Sequence, residues 1–368
     1  MIIDSIEIRA CRHTAKAEAS HMRAGGDANF DFLVVTMHTD EGVTGNSLGF
    51  AGRNAEAAGQ TAAAILKPFF LSRDPLARER HWQDFRTYDR WWHHAPIYAY
   101  GCFDICLWDI AAKTAGVPLY RLLGEYRDKT PTYASSFVLE TPGDYALQAI
   151  EVKQRGWHAY KIHPPGRMEL DLEIYRACRE AVGPEFCLMA DPVAAYNHQQ
   201  ALRVGRELER LDYYWFEEPL LDTDFYGLRK LTAALEIPVC GTEVLAGHIH
   251  STAECIASNV VDIVRTDVSW KGGVTPVMKT AHLAESFGLQ CELHTAIFHA
   301  LEVVNLHCCC AISNCEFFEL LYPTTSMEVG LRSGIQIDEE GYAHPPSAPG
   351  TGVDFDWGFI DNCTVLKL

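Results

Sequence analysis

The chain has 368 residues, 48% of them hydrophobic and 22% charged, with a formal net charge of −18. That charge disfavours a nucleic-acid partner, which needs clustered Lys and Arg, and no apolar run reaches the roughly 18 residues that a membrane helix requires. The length exceeds one small core and points to two domains, and thirteen cysteines scattered through apolar segments fit reduced, buried thiols in a cytoplasm.

The opening residues 1–10 alternate as a β-strand does and lack the pattern of a signal peptide. Strands are predicted over 3–11, 30–40 and 42–50, with Asp40, Glu41 and Gly42 supplying the turn between the last two. Helical periodicity takes over at 54–70, 74–92 and 99–116, and Gly116 with Pro118 ends the last of these. Together these segments predict an α+β domain over residues 1–125.

From Pro131 the pattern changes to strand and helix in alternation. A strand at 132–138 precedes a helix at 141–156, with Thr141 as N-cap, Pro142 in the first turn and Gly156 as C-cap. Helices follow at 170–183, 199–211, 225–235, 251–259, 274–288 and 299–312. The expected fold is α/β, a (β/α)7–8 TIM-type barrel over residues 126–321. The segment 322–368 is loop-rich, ends in a short strand, and is expected to return to the first domain. Cys308, Cys309 and Cys310 are adjacent on a helix and so point in different directions, which suits core packing better than a metal cluster.

The strand-like runs each end in a functional residue: Lys161 and His163, then Asp191, Glu217, Glu243, Asp267, His294 and Glu319. From Lys161 the steps are 30, 26, 26, 24, 27 and 25 residues, the length of a strand, a covering helix and two loops. In such a barrel the carboxyl ends of the strands converge on one mouth. Three carboxylates there, Asp191, Glu217 and Glu243, would repel one another without a cation among them. Oxygen ligands select a hard divalent ion such as Mg²⁺. Glu218, adjacent to Glu217, is expected on the opposite face as a supporting or salt-bridge residue. Asp267 next to His294 would fix the imidazole tautomer and make it a general base. Lys161 and His163, two apart, face the same way. The lysine can bind a substrate carboxylate or lower a neighbour's pKa, and the histidine can act as a second acid or base or as a hydrogen-bond donor. Glu319 can contact a substrate oxygen or an enolate if protonated. A divalent ion bound to a carboxylate stabilises the enediolate left when a proton leaves the adjacent carbon.

These motifs resemble the enolase superfamily, mandelate racemase subgroup: GVPLYRLLG closing the first domain, KIH at 161–163, the Asp191 strand, FEEPL at 216–220, GTE at 241–243, DVSWKGG at 267–273, ELHT at 292–295 and FFE at 317–319. The resemblance covers essentially the whole chain and implies an N-terminal capping domain completed by the C-terminal segment. It implies Mg²⁺ on Asp191, Glu217 and Glu243, the pair His294–Asp267 as base, and Glu319 supporting the substrate carboxylate or enediolate. Relatives that lactonise or epimerise dipeptides carry Lys where Asp267 stands here. The racemase has Lys-x-Lys where this chain has Lys161 and His163, and relatives often carry Asn or His where Val193 stands. The expected activity is therefore dehydration of an acid sugar to a 2-keto-3-deoxy acid. The alternative is a racemase or epimerase using His163 and His294 on opposite faces, and a non-catalytic barrel is disfavoured because every site carboxylate is present. Specificity is expected in the Gly-rich segment 21–27, through His21 and Arg23, with His93 and His94 as further candidates. A small carboxylate is the expected partner, and the chain is expected to form a homo-oligomer.

Overall fold

The protein is described here as a computed structural model covering residues 1–15, 28–90, 95–245, 248–324 and 328–368. His21, Arg23, His93 and His94 lie outside the described residues.

The N-terminal part holds an antiparallel sheet of β1 (Ile3–Ala15), β2 (Ala28–Thr39) and β3 (Thr44–Phe50), and the last strand of the chain, β13 (Thr364–Lys367), pairs with β1. Strand β2 is apolar on both faces because both are covered. Leu33, Val35 and Met37 pack with the helices that follow, whereas Phe32 and Val34 join the cluster that continues into the second half of the chain. Those helices are α1 (Ala55–Thr61), α2 (Lys67–Phe70), α3 (Arg78–Tyr88), α4 (Ile97–Ala115) and α5 (Leu119–Leu123). The single helix expected over 54–70 is interrupted by a π-helical stretch, Ala62–Leu66. Pro68, which follows it, has no N–H to give an ordinary helical bond, and the wider turn absorbs that loss.

The second half alternates as its sequence pattern predicts. Strands β4 (Thr130–Ser136), β5 (Ala159–Ile162), β6 (Cys187–Ala190), β7 (Phe216–Glu217), β8 (Val239–Gly241), β9 (Ile263–Thr266), β10 (Gln290–Leu293) and β11 (Phe318–Tyr322) are separated by α6 (Pro142–Gln154), α7 (Met168–Val182), α8 (His198–Arg210), α9 (Phe225–Thr232), α10 (His248–Ala257), α11 (Val274–Ser286) and α12 (His299–Ala311). Their order is β10-β9-β8-β7-β6-β5-β4-β11, parallel at every step, so the sheet curls with β10 and β11 at its two ends. The short β12 (Tyr342–Ala343) adds antiparallel to β4, and α13 (Trp357–Cys363) precedes β13. Thr141 caps α6 in a reciprocal capping box with Asp144. The three consecutive cysteines are buried on α12. Among the described residues no helix is long and apolar enough to cross a membrane.

One contact ties the two halves together at the loop that carries Asp267. Asp104 of α4 accepts hydrogen bonds from Thr275 N at 2.9 Å and Thr275 Oγ1 at 2.6 Å, so it serves the N-terminus of α11 from outside that helix. Gly273, at φ +100°, lies so close that a Cβ there would meet Asp104 Oδ2 at 2.5 Å. Gly116 also has positive φ, +69°, but a Cβ there meets nothing within 4 Å. Gly273→Ala is therefore expected to lower unfolding free energy by about 2 kcal/mol or more, from overpacking plus left-handed strain. Gly116→Ala should cost only the strain, about 1 kcal/mol. Denaturant midpoints compare the two, and equal losses would contradict the close-approach argument.

Candidate active site

Residues two apart on a strand share a face, and the inward faces of the curled sheet stack in layers. The lowest holds Tyr133, Ala159, Met189, Trp215, Ile263 and Phe317 in one apolar cluster. Two residues further along the same strands come Ser135, Lys161, Asp191, Glu217, Arg265 and Glu319, none more than 2% exposed. The next step brings Phe137, His163, Asp267 and Leu321. Charges thus sit on an apolar floor with little water, where an unpaired one is costly and a paired one is strongly held.

Lys161 and Arg265 bind this layer together. Lys161 Nζ donates to both carboxylate oxygens of Glu217 at 3.0 Å and lies 3.2 Å from Asp191 Oδ2 and 2.8 Å from Glu319 Oε1. Burial alone would lower its pKa, but Glu217, Glu319 and Asp191 override that and raise it. The lysine is a fixed cation beneath the mouth. Its hydrogen bonds go to Glu217, with Asp191 and Glu319 beside it as ion-pair partners. Arg265 pairs with Glu217 Oε1 at 2.8 Å and Glu319 Oε2 at 2.5 Å, and donates to Leu293 O at 3.1 Å. Glu319 also accepts Thr295 N at 2.9 Å. Burial would raise Glu319, but Lys161, Arg265 and His294 hold it well below the usual carboxylate range. It is an ionised, doubly paired carboxylate here, not the protonated donor that the sequence left open. Arg265 is not among the site residues read from the sequence. A lone arginine in the apolar run Ile263–Thr266, two residues before Asp267, is the signal that marks it as inward-facing.

The carboxylates of Asp191, Glu217 and Glu243 converge, with one oxygen of each within 4.8 Å of the others. Their electrostatics are unequal. Burial would raise Asp191, but Lys161 and His163 more than offset it, and the carboxyl is held low. Burial pushes Glu243 well above the usual range, and the negative charges of Glu218, Asp191 and Glu217 push it further. Glu218 is raised to about 8 by burial, with Asp191, Glu217 and Asp222 adding to it. It accepts Glu243 N at 3.1 Å, so it braces the third carboxylate. An all-oxygen donor set with excess negative charge at its open side fits a hard divalent cation.

His294 stands beside this cluster. Its Nε2 lies 3.1 Å from Glu243 Oε1 and its Nδ1 3.6 Å from Asp267 Oδ2. Asp267 Oδ1 accepts Ser269 N at 2.6 Å and Trp270 N at 2.9 Å, which aims the other oxygen at the ring. Across the mouth, His163 Nδ1 is 2.7 Å from the Ser136 carbonyl, to which it donates, and Nε2 is 2.9 Å from Asp191 Oδ2. Both ring nitrogens are thereby engaged. Val193, where a further base was sought, adopts φ +51° and is 62% exposed.

Because Glu243 and Glu218 retain protons that a cation would displace, the metal-free protein should lose stability as pH rises from about 5 to 8. Folded groups with raised pKa then hold protons that the unfolded chain, titrating near 4.3, has released. A divalent cation should flatten this slope, and its binding should release protons. Melting scans against pH with and without Mg²⁺, and calorimetry in buffers of different ionisation enthalpy, check both points. A binding enthalpy that does not vary with buffer would contradict them.

Residues 5–124 match the mandelate racemase / muconate lactonizing enzyme N-terminal domain, and residues 144–359 match the enolase C-terminal domain-like family. Arabinonate dehydratase of Saccharolobus solfataricus is 30% identical over 363 residues, 96% of each chain. L-talarate/galactarate dehydratase of Salmonella typhimurium is 34% identical over 245 residues, 65% of this chain and 60% of that protein, so the match spans less than two thirds of its length. Among solved structures, D-glucarate dehydratase from Agrobacterium tumefaciens complexed with magnesium superimposes with a TM-score of 0.90 at 33% identity, covering all of both chains. With both of its domains matched and its fold shared along the full length, the chain belongs to the enolase superfamily, in the mandelate racemase subgroup.

Proposed function

We propose that this chain is a lyase, a Mg²⁺-dependent dehydratase that converts an acid sugar to a 2-keto-3-deoxy acid. The observation that carries this reading is the buried trio Asp191, Glu217 and Glu243, with excess negative charge on the side of Glu243 that faces His294. The named relatives at 30% identity or more are dehydratases of acid sugars. The finer architecture read from the sequence, a TIM-type barrel with a capping domain over residues 1–125 completed by 322–368, belongs to the same reading, as does assembly into a homo-oligomer.

Asp191, Glu217 and Glu243 would hold a Mg²⁺ ion, which would supply electrostatic stabilisation of the negative charge that develops as the α-proton leaves. The chain's residues do the rest. His294, aimed by Asp267, removes the α-proton at Nε2 and becomes an imidazolium. It then returns that proton to the β-hydroxyl on the same face, which leaves as water, and the resulting enol tautomerises to the 2-keto acid. Glu319 and Lys161 hold the floor of the site in a fixed charge state. The racemase alternative needs a second base at His163, but that ring is tied to the Ser136 carbonyl and to Asp191.

His294→Asn should lower kcat by about 10³-fold or more while leaving Mg²⁺ affinity and circular dichroism unchanged. The assay is a panel of mono- and diacid sugars with Mg²⁺, with semicarbazide detection of the keto product. In D₂O the enzyme should form keto product without inverting recovered substrate. Deuterium in an inverted α-carbon, with no keto product, would establish the racemase instead.

A further inference from the structure

His294 and Asp267 come from different strands, and the last bond joining those strands lies below them, from His294 N to Thr266 O at 2.8 Å. Above it the two chains separate into loops. Asp267 Oδ2 and His294 Nδ1 are buried and have no other hydrogen-bond partner among the described residues, so the 3.6 Å between them is set by where the two backbones are held.

One side chain holds both. Asn305 of α12, 1% exposed, accepts Val268 N at 3.1 Å through Oδ1 and donates from Nδ2 to His294 O at 2.9 Å. The orientation of its amide follows from its partners, because a backbone N–H only donates and a carbonyl only accepts. Val268 directly follows Asp267, so a single rigid planar group spans the backbones of the base and its carboxylate. Glu302, one turn earlier on the same helix, steadies it. Its Oε2 accepts Asn305 Nδ2 at 3.3 Å, and its Oε1 accepts Ile297 N at 3.0 Å and the hydroxyl of Thr295, the residue after His294. The loop leaving β10 and the loop leaving β9 are thus fastened to one turn of α12.

Resting on the dehydratase reading for its catalytic consequence, we propose that Asn305, steadied by Glu302, is a positioning residue that sets the separation of the His294–Asp267 pair. Asn305 touches no reacting atom in this role. It acts through the distance between two groups that do.

The test uses the full-length protein with Mg²⁺ and needs no substrate for its first readout. A downfield imidazole N–H resonance, assigned by its absence in His294→Asn, reports the Nδ1–H to Asp267 contact. Asn305→Leu removes both bonds at similar volume. Asn305→Asp keeps the acceptor for Val268 N and loses the donor to His294 O, and it stands in if the leucine variant does not fold. The resonance should be lost or broadened in both, with Mg²⁺ affinity within about two-fold of wild type. With the acid sugar giving the largest keto-product signal, kcat should fall about 10- to 100-fold with KM little changed, and Glu302→Gln should lie between wild type and Asn305→Leu. No resonance in the wild type, its retention in the variants, or a kcat loss that tracks Mg²⁺ affinity would each overturn the proposal. If no acid sugar is turned over by wild type, the dehydratase reading fails, while the resonance still decides whether Asn305 sets the pair.

Discussion

The site depends on a charge imbalance confined above an apolar floor. Lys161 and Arg265 are the cations within the charged layer, and they are bound to Glu217, Asp191 and Glu319. Among the described residues no Lys or Arg forms an ion pair with Glu243 or Glu218, the nearby buried Lys271 has its own pKa lowered by burial, and burial pushes both carboxyls toward their protonated forms. Coulomb repulsion between carboxylates falls off slowly where water is scarce, so the arrangement favours either extra protons or a doubly charged ion. The same imbalance places the strongest demand for positive charge next to His294.

Backbone alternation turns this chemistry into geometry. Because side chains repeat on a face every second residue, one segment supplies floor, charge and rim in succession: Ala159, Lys161 and His163 along and just past β5, or Phe317, Glu319 and Leu321 just before and along β11. Parallel pairing keeps these layers in register around the curl. Antiparallel pairing would send alternate strands to the other mouth. The helices then steady what the strands present. Asp104 reaches from α4 to the start of α11 just beyond the Asp267 loop, and Asn305 reaches from α12 to both strands of the catalytic pair.

The first half of the molecule contributes rigidity at a distance from the chemistry. Strand β2 is buried on both faces and belongs to two hydrophobic clusters at once, so its position is coupled to the second half through Phe32 and Val34. Gly273 admits Asp104 because it carries no side chain, which allows α4 and the Asp267 loop to approach more closely than any Cβ would permit.

Much of this was legible in the sequence. Spacing placed Asp191, Glu217, Glu243, Asp267 and His294 at successive strand ends, because strand and helix lengths are local properties that periodicity reports. The alternation that puts Lys161 and His163 on one face was likewise visible. Three things were not. The ion pairs that occupy Lys161 involve residues 30 to 158 positions away from it, and no local pattern says which cation meets which anion. Both nitrogens of His163 are committed to groups on β4 and in the loop just after β6. Asn305 lies in a helix whose sequence reads as ordinary core, and its role appears only when two backbone groups from elsewhere arrive at its amide. Local sequence determined which elements form and which way their side chains face, since those follow from steric preference and hydrophobic period. Tertiary structure alone decided protonation and partnership, because these depend on distances between groups that the chain brings together only when it folds.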